Sequence, residues 1–171
     1  EVVRIGDRKG EEVGDLITDQ IGRLISGSSE VRSVGISVPG IFFSDSGRVW
    51  APNVEGWEEY PLLDKVRSAF SDRQLQVAID SDRACYILGE IWKGAARGCR
   101  HAVFLAVGTG IGAGILIDGR ILRGAGDIAG SIGWMELKRP WREAYRSCGC
   151  FEYHASGAGL VKGERVRMAE G

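Results

Sequence analysis

The sequence predicts an α/β protein, and two observations lead to that class. Apolar residues at helical spacing alternate along the chain with short runs at strand spacing, and a glycine-rich segment joins two strands directly. The composition agrees, since 44% apolar and 26% charged residues among 171 are ordinary for a globular domain. The near balance of 22 basic and 23 acidic residues argues against a nucleic-acid or anionic membrane surface. No run approaches the roughly 20 apolar residues of a membrane span.

The elements follow in order from the spacing of apolar residues. The apolar stripe that begins at Val13 predicts the first helix, and Gly27 closes it. The predicted helices cover residues 11–26, 62–70 and 83–96. The predicted strands cover residues 31–38, 48–51, 75–79, 102–107, 113–117 and 120–123. Residues 94–98, rich in glycine and alanine, form the expected hinge.

A glycine cluster at residues 108–112 joins two apolar strands with no helix between them. A P-loop needs Lys-Ser or Lys-Thr after its last glycine, and a dinucleotide-binding turn must open a helix, so both are excluded. Two interpretations remain open. The N–H groups of the turn, with the Thr109 hydroxyl, face a phosphate, or the segment is a glycine-rich hairpin without a ligand. Asp118-Gly119 then makes a second tight turn.

Asp80 and Asp82 lie where a strand ends and a helix begins. On a strand the two carboxylates would share a face, because they are two residues apart. Asp82 also stands at the N-cap position of helix 83–96. The carboxyl ends of strands are where ligands collect in α/β proteins. Capping and catalysis are both open for Asp82, and they are compatible.

Residues 79–90 resemble the N-D-A-N-A-A-A-L-G-E segment of the ROK family, which contains sugar kinases and transcriptional repressors. Further motifs follow the family's order and spacing from about Val34 to Gly157. They are residues 38–40 (I-P-G), 52–57 (P-N-L-x-G-W), 107–115 (T-G-T-G-I-G-G-G-I), 124–135 (G-A-x-G-x-A-G-E-I-G-H-M) and 149–157 (G-C-L-E-x-Y-A-S). Each motif alone is weak, and their order is the stronger signal.

The resemblance implies an actin-like ATPase (ribonuclease H-like) fold, with mixed sheets flanked by helices in two lobes around a cleft. Residues 1–97 would be the rest of the N-terminal lobe, and residues 98–171 the start of the C-terminal lobe. The family's opening D-x-G-G-T motif has no match before Val31. We therefore expect this sequence to be a fragment of a longer protein.

The resemblance also implies ATP-dependent phosphorylation of a glucose-like hexose or an N-acylated hexosamine in the cytoplasm, with Mg²⁺ on the phosphates. Asp82 falls on the catalytic base. The phosphate-binding positions are Gly108, Thr109, Gly110 and Gly112, and the sugar-lining positions are Gly40, Asn53, Ser81, Ser131, Trp134 and Glu152. The alternative is a sugar-sensing regulator of the same fold with weak or no kinase activity. Family members tend to form dimers or tetramers, so a homo-oligomer stays open; nucleic acid is not an expected partner.

Several positions depart from the family pattern. Ser81 replaces an asparagine, Ser131 a glutamate and Trp134 a histidine, so the hydrogen bonds to the sugar must differ. Trp134 is either an aromatic core residue or an apolar wall against a sugar face. In the family's zinc motif the first two cysteines fall on Glu143 and Tyr145.

Only Cys150 is in register with that zinc motif, so we predict no bound zinc. A partial metal set of Cys148, Cys150 and His154 is the alternative. Without metal, residues 136–150 would be held by packing. The expected packing residues are Trp134, Trp141 and Tyr145.

Overall fold

The computed structural model describes residues 2–27 and 30–170, and it divides after Asp82 into two compact units, residues 1–82 and 83–171. The first unit contains α1 (Gly10–Ser26), β1 (Ser33–Val38), β2 (Ile41–Phe43), β3 (Arg48–Trp50), α2 (Leu62–Ala69) and β4 (Gln76–Ser81). From Asp82 onward follow α3 (Asp82–Lys93), β5 (Ala102–Val107), β6 (Ile111–Ile117), β7 (Arg120–Ile121), α4 (Cys150–Ala155) and α5 (Gly157–Glu170). The predicted lobe boundary at residues 97 and 98 stays a prediction.

The first unit is built on the parallel pair β1 and β4, in register from Ser33 opposite Gln76 to Val38 opposite Ser81. Beside it, β2 and β3 form a short antiparallel hairpin. The apolar stripes of α1 and α2 are buried, and Leu62 and Val66 of α2 are fully enclosed. The carboxyl ends of two parallel strands therefore meet at one edge of this unit.

A polar and aromatic network joins α1 to α2 and to the segment before α2. Lys65 donates to Glu11 and, at 2.6 Å, to Asp15. The Tyr60 hydroxyl donates to Glu11 at 2.8 Å, and its ring stacks on Trp57 with centroids 4.5 Å apart. The Trp57 indole donates to Gly10 O at 2.9 Å, so the loop that carries Asn53 is fixed to the start of α1.

The second unit is built on the antiparallel sheet β5–β6–β7. The tight turn predicted at Asp118-Gly119 is confirmed, since both residues have positive φ, at 50° and 75°. Helix α3 packs Ile87 against Leu116 of β6. A Cβ at Gly114 would clash with Arg83 O, so this glycine permits the close approach of α3 to the sheet.

Most predicted elements are confirmed, although several of their ends shift by one to four residues. Helix α3 ends at Lys93 rather than residue 96, because the Glu90 carboxylate and carbonyl accept from the N–H groups of Ala95 and Ala96. β6 begins at Ile111, so the glycine turn is shorter than expected. The strand β2 was not predicted. Among residues 2–27 and 30–170 no helix is both long and apolar enough for a membrane span.

Candidate functional site

In the first unit, Asp82 follows β4 and Gly40 follows β1, at the ends of the two paired strands. Val38 lies opposite Ser81 at the ends of the strands, so the segments that carry Gly40 and Asp82 leave the sheet at the same edge. Ser81 is buried, and Asp82 is half-buried in the first turn of α3. A carboxylate in this position lies among the first N–H groups of the helix, which favour negative charge. The structure thus places the predicted base at the sheet edge where α/β proteins bind ligands.

Strand spacing predicts that the carboxylates of Asp80 and Asp82 share one face of a strand, and this prediction is wrong. Asp80 is the fifth residue of β4, whereas Asp82 already belongs to α3, so the two do not share a strand face. The Asp80 carboxylate accepts from the Ser81 N–H at 2.9 Å. Asp82 is in the first turn of α3, where its carboxylate interacts favourably with the helix dipole.

Gly40 brings the edge of the first unit against the loop that carries Asn53. Its φ is +113°, and a Cβ there would clash with the Trp50 carbonyl, so only glycine fits. Asn53 is exposed and lines an open cavity of about 470 Å³ formed by residues 50–55, Trp57 and Glu58. Three of the four predicted residues of this unit, Gly40, Ser81 and Asp82, therefore share one sheet edge, and Asn53 lies on the adjoining loop.

In the second unit, the glycine turn is connected to Glu152 by one hydrogen bond. Glu152 Oε2 accepts from the Ile111 N–H at 2.7 Å, immediately after Gly110. The turn is closed by Gly108 N–H donating to Gly110 O at 3.0 Å, and Gly157 N–H donates to Gly108 O at 2.9 Å. Glu152, a predicted sugar-lining residue, is thus in direct contact with the turn predicted to bind phosphate.

The glycines of the turn differ in what surrounds them. A Cβ on Gly108 would meet nothing within 4 Å, so that backbone is open for the approach of a phosphate group. A Cβ on Gly110 would lie 2.9 Å from Glu152 Oε2, and one on Gly112 would lie 2.9 Å from Arg83 Cδ. None of the three has a positive φ, so their role is close approach and not an unusual backbone conformation.

Arg83 is a residue that sequence reasoning missed. Its guanidinium donates to the Ser131 hydroxyl, and its side chain packs against Gly112. Ser131 stands where the family has a glutamate, and its hydroxyl accepts a hydrogen bond from this arginine of α3. The only available signal was the adjacency of Arg83 to Asp82, which says nothing of where the guanidinium points.

Trp134 and Trp141 do not fill the core of the second unit, so two expectations are wrong. Their exposed fractions are 54% and 58%, which excludes the core interpretation of Trp134 and leaves the sugar wall as a hypothesis. The residues that do pack are Tyr145, only 2% exposed, and its neighbours Tyr153 and His154. Trp134 ends a short 3-10 turn next to Gly133, which is buried beside Glu152.

The residues at the family's zinc positions do not fit a zinc ion. Glu143 is 73% exposed in its side chain and pairs with Arg146 at 3.3 Å, while the Tyr145 hydroxyl is 2.9 Å from His154 Nε2. Cys150 is the one thiol in register, and a closed zinc site needs four donors. Within the described ranges, 2–27 and 30–170, no group of three or more His, Cys, Asp or Glu could hold a metal.

Comparison with known proteins gives one family and several relatives. A model of the ROK family matches residues 3–169. The glucokinase of Halalkalibacterium halodurans is 33% identical over 153 residues, which cover 85% of this chain and 45% of that protein. The xylose repressor of Caldicellulosiruptor bescii is 35% identical over 151 residues, covering 86% of this chain and 36% of that protein.

Among solved structures, a ROK family glucokinase from Streptomyces griseus in complex with glucose and AMPPNP superposes with a TM-score of 0.66 and 31% identity. The match covers 86% of this chain and 48% of that one. These similarities confirm the predicted actin-like ATPase fold. This chain spans less than half the length of the two curated relatives.

Proposed function

Because this chain belongs to the ROK family, we propose that the protein is a sugar kinase that transfers the γ-phosphoryl group of ATP to a hydroxyl of a glucose-like hexose or an N-acylated hexosamine. Asp82 is the general base, and the turn at residues 108–112 binds the phosphates. Gly40, Asn53 and Glu152 contact the sugar. The similarity to two proteins named glucokinase, one of them with glucose and AMPPNP bound, supports a sugar and ATP as the substrates.

The observation that carries the proposal is the hydrogen bond between Glu152 and the Ile111 N–H. A kinase must bring an acceptor hydroxyl to the terminal phosphate, since positioning accounts for most of the catalysis of phosphoryl transfer. Here a carboxylate suited to sugar hydroxyls is fixed to the strand that begins at the glycine turn. Gly108, next to this contact, leaves the backbone open where a phosphate would approach.

The proposed chemistry needs one base and a fixed phosphate. The sugar hydroxyl oxygen forms a bond to the γ-phosphorus while its proton passes to the Asp82 carboxylate, and the bond from the γ-phosphorus to the bridging oxygen breaks to release ADP. Backbone N–H groups of the turn and the Thr109 hydroxyl hold phosphate oxygens. Mg²⁺ bound to ATP would neutralise charge on the phosphates.

A coupled assay of ADP release tests the proposal with the full-length protein and a panel of hexoses and hexosamines. We expect turnover with at least one glucose-like or N-acylated sugar and none without sugar. ATP hydrolysis that is independent of sugar, or no turnover with any member of the panel while the folded protein binds ATP, would contradict a sugar kinase.

A second function, sugar-dependent regulation, is favoured by two observations. The xylose repressor matches 86% of this chain. Ser81, Ser131 and Trp134 replace polar positions of the kinase pattern, so the sugar contacts differ from those of the kinases. Calorimetry on the same protein separates the two functions, because a regulator binds its sugar tightly without releasing ADP.

A further inference from the structure

We propose that the hydrogen bond between Tyr145 and His154 takes the place of the family's zinc and positions Glu152 for sugar binding. Both are positioning residues, since they act through the helix that carries Glu152. The inference rests on the proposed function only in taking Glu152 as a sugar contact. The positional part concerns the hydrogen bond from Ile111 to Glu152 and holds for a kinase or a regulator.

Tyr145 is buried at a position that holds a metal ligand in the family's zinc motif. It stands where the zinc motif has its second cysteine, and it is 2% exposed. Its hydroxyl is 2.9 Å from Nε2 of His154, a residue of α4. The loop is thus joined to the helix at the position where a metal ligand would have joined it. A hydrogen bond and a metal bond serve the same purpose here, because each fixes two segments that are far too short to be stable alone.

Aromatic rings pack around that hydrogen bond. The Tyr145 ring meets Tyr153 edge-on with centroids 5.3 Å apart and His154 at 5.5 Å, while Tyr153 and His154 are 5.1 Å apart. Edge-on rings at this separation attract one another. Gly149 N–H donates to Tyr145 O at 2.7 Å, which ties the end of the loop to the start of α4.

Helix α4 is connected to the glycine turn through Glu152. Helix α4 has only six residues, and so short a helix is held by its contacts and not by its own propensity. Glu152 lies two residues before His154 on the same helix, and its carboxylate accepts from Ile111 N–H at 2.7 Å. A shift of α4 therefore moves the carboxylate relative to the turn.

The surroundings of His154 favour its neutral form. Burial, and then Lys138 and Arg142, lower the pKa of His154. A neutral imidazole can accept the Tyr145 O–H at Nε2, whereas a protonated ring cannot. Burial also raises the pKa of Tyr145, so its hydroxyl keeps the proton that it donates.

The test compares Tyr145→Phe with Tyr153→Phe in the full-length protein. Both variants keep their aromatic rings, but only the first removes the hydroxyl that faces His154. The first readout is amide hydrogen exchange of Ile111, which reports on its bond to Glu152 without any need for activity. The second is the sugar KM and kcat, or the sugar Kd by calorimetry if turnover is absent.

We expect Tyr145→Phe to speed the exchange of Ile111 and to raise the sugar KM or Kd, each about three- to ten-fold, as befits one neutral hydrogen bond. The kcat should change less than KM, and Tyr153→Phe should change neither readout. The effect of Tyr145→Phe should also disappear in a His154→Phe background, because the bond is already absent there.

Unchanged exchange of Ile111 in a folded Tyr145→Phe protein would overturn the inference, as would equal effects in the two tyrosine variants. Failure of the proposed function looks different. A wild-type protein without turnover or sugar binding would remove the kinase and regulator proposals, while the exchange of Ile111 would still decide the role of Tyr145.

Discussion

Replacing Gly110 with alanine is expected to displace the side chain of Glu152, the proposed sugar contact, rather than the backbone of the turn. The new Cβ would lie 2.9 Å from Glu152 Oε2 and 3.4 Å from its Cδ. Because φ at Gly110 is not positive, the backbone accepts alanine without strain. The carboxylate is the far end of a flexible side chain, so it is displaced and loses its 2.7 Å bond to the Ile111 N–H.

The size of the effect follows from that one bond. A hydrogen bond to a charged group contributes about 1.5–3 kcal/mol. Lost in the sugar-bound state alone, that energy corresponds to a sugar Kd raised by about one to two orders of magnitude. Lost in the free protein as well, it would appear instead as a fall in the free energy of unfolding.

Gly108→Ala is the matched comparison, because a Cβ there meets nothing within 4 Å and leaves the Glu152 bond intact. It occupies the space where we place a phosphate, so it should weaken ATP binding while the sugar Kd stays within about two-fold. Isothermal titration with sugar and with a nonhydrolysable ATP analogue, and thermal unfolding of each variant, measure these quantities. If Gly110→Ala leaves the sugar Kd and the unfolding midpoint unchanged, the reasoning from the Glu152 contact is refuted.

Three further predictions follow from the site and its supports. Asp82→Asn should lower kcat by about 10²–10⁴ while sugar affinity changes only a few-fold, since the amide keeps the shape but cannot take the proton; turnover equal to wild type would contradict its role as the base. Burial, and then the hydrogen bond to Glu11, raises the pKa of Tyr60 to about 12. The folded state therefore keeps a proton that the unfolded state loses near pH 10, and stability should fall by about 1–2 kcal/mol between pH 10 and 12, since solvent screening reduces the full effect of the shift. Urea titrations should show a shallower fall in Tyr60→Phe, and equal slopes would refute this origin. Elemental analysis should find no zinc bound to the purified full-length protein, and EDTA should leave its melting temperature unchanged; one equivalent of zinc per chain would refute the donor-set argument.

The elements and several neighbours of the site were predictable because they follow from local patterns. Apolar spacing places α1, α2 and α3, and the change from strand to helix spacing places Asp82 directly after β4. The relation of Glu152 to Ile111 was not predictable, because the residues are 41 positions apart and the contact depends on how α4 packs. The failure at Trp134 has the same origin. Tryptophan is buried on average, but the average does not determine which ring of a loop turns inward.

The pairing of Tyr145 with His154 shows a second limit. The resemblance to the family's zinc motif implies that the zinc ligands are replaced, and it leaves Tyr145 as an expected packing residue. His154 appears there only as one member of an incomplete set of metal ligands, since imidazole and thiolate groups both bind zinc. The hydrogen bond between the two side chains requires the turn of α4 and the buried position of Tyr145, which only coordinates provide.

If Glu152 contacts the sugar as proposed, its carboxylate serves both the sugar and the glycine turn, and this limits how substrate preference can be redesigned or can change during evolution. Under the proposed function, a substitution that suits Glu152 to another sugar also removes the acceptor of the Ile111 N–H, so a gain at one ligand carries a loss at the other. Asn53 and Trp134 are exposed and lie outside that bond. Libraries that vary those two positions should yield altered sugar preference with phosphate binding retained, whereas libraries at residue 152 should yield variants weakened for both substrates.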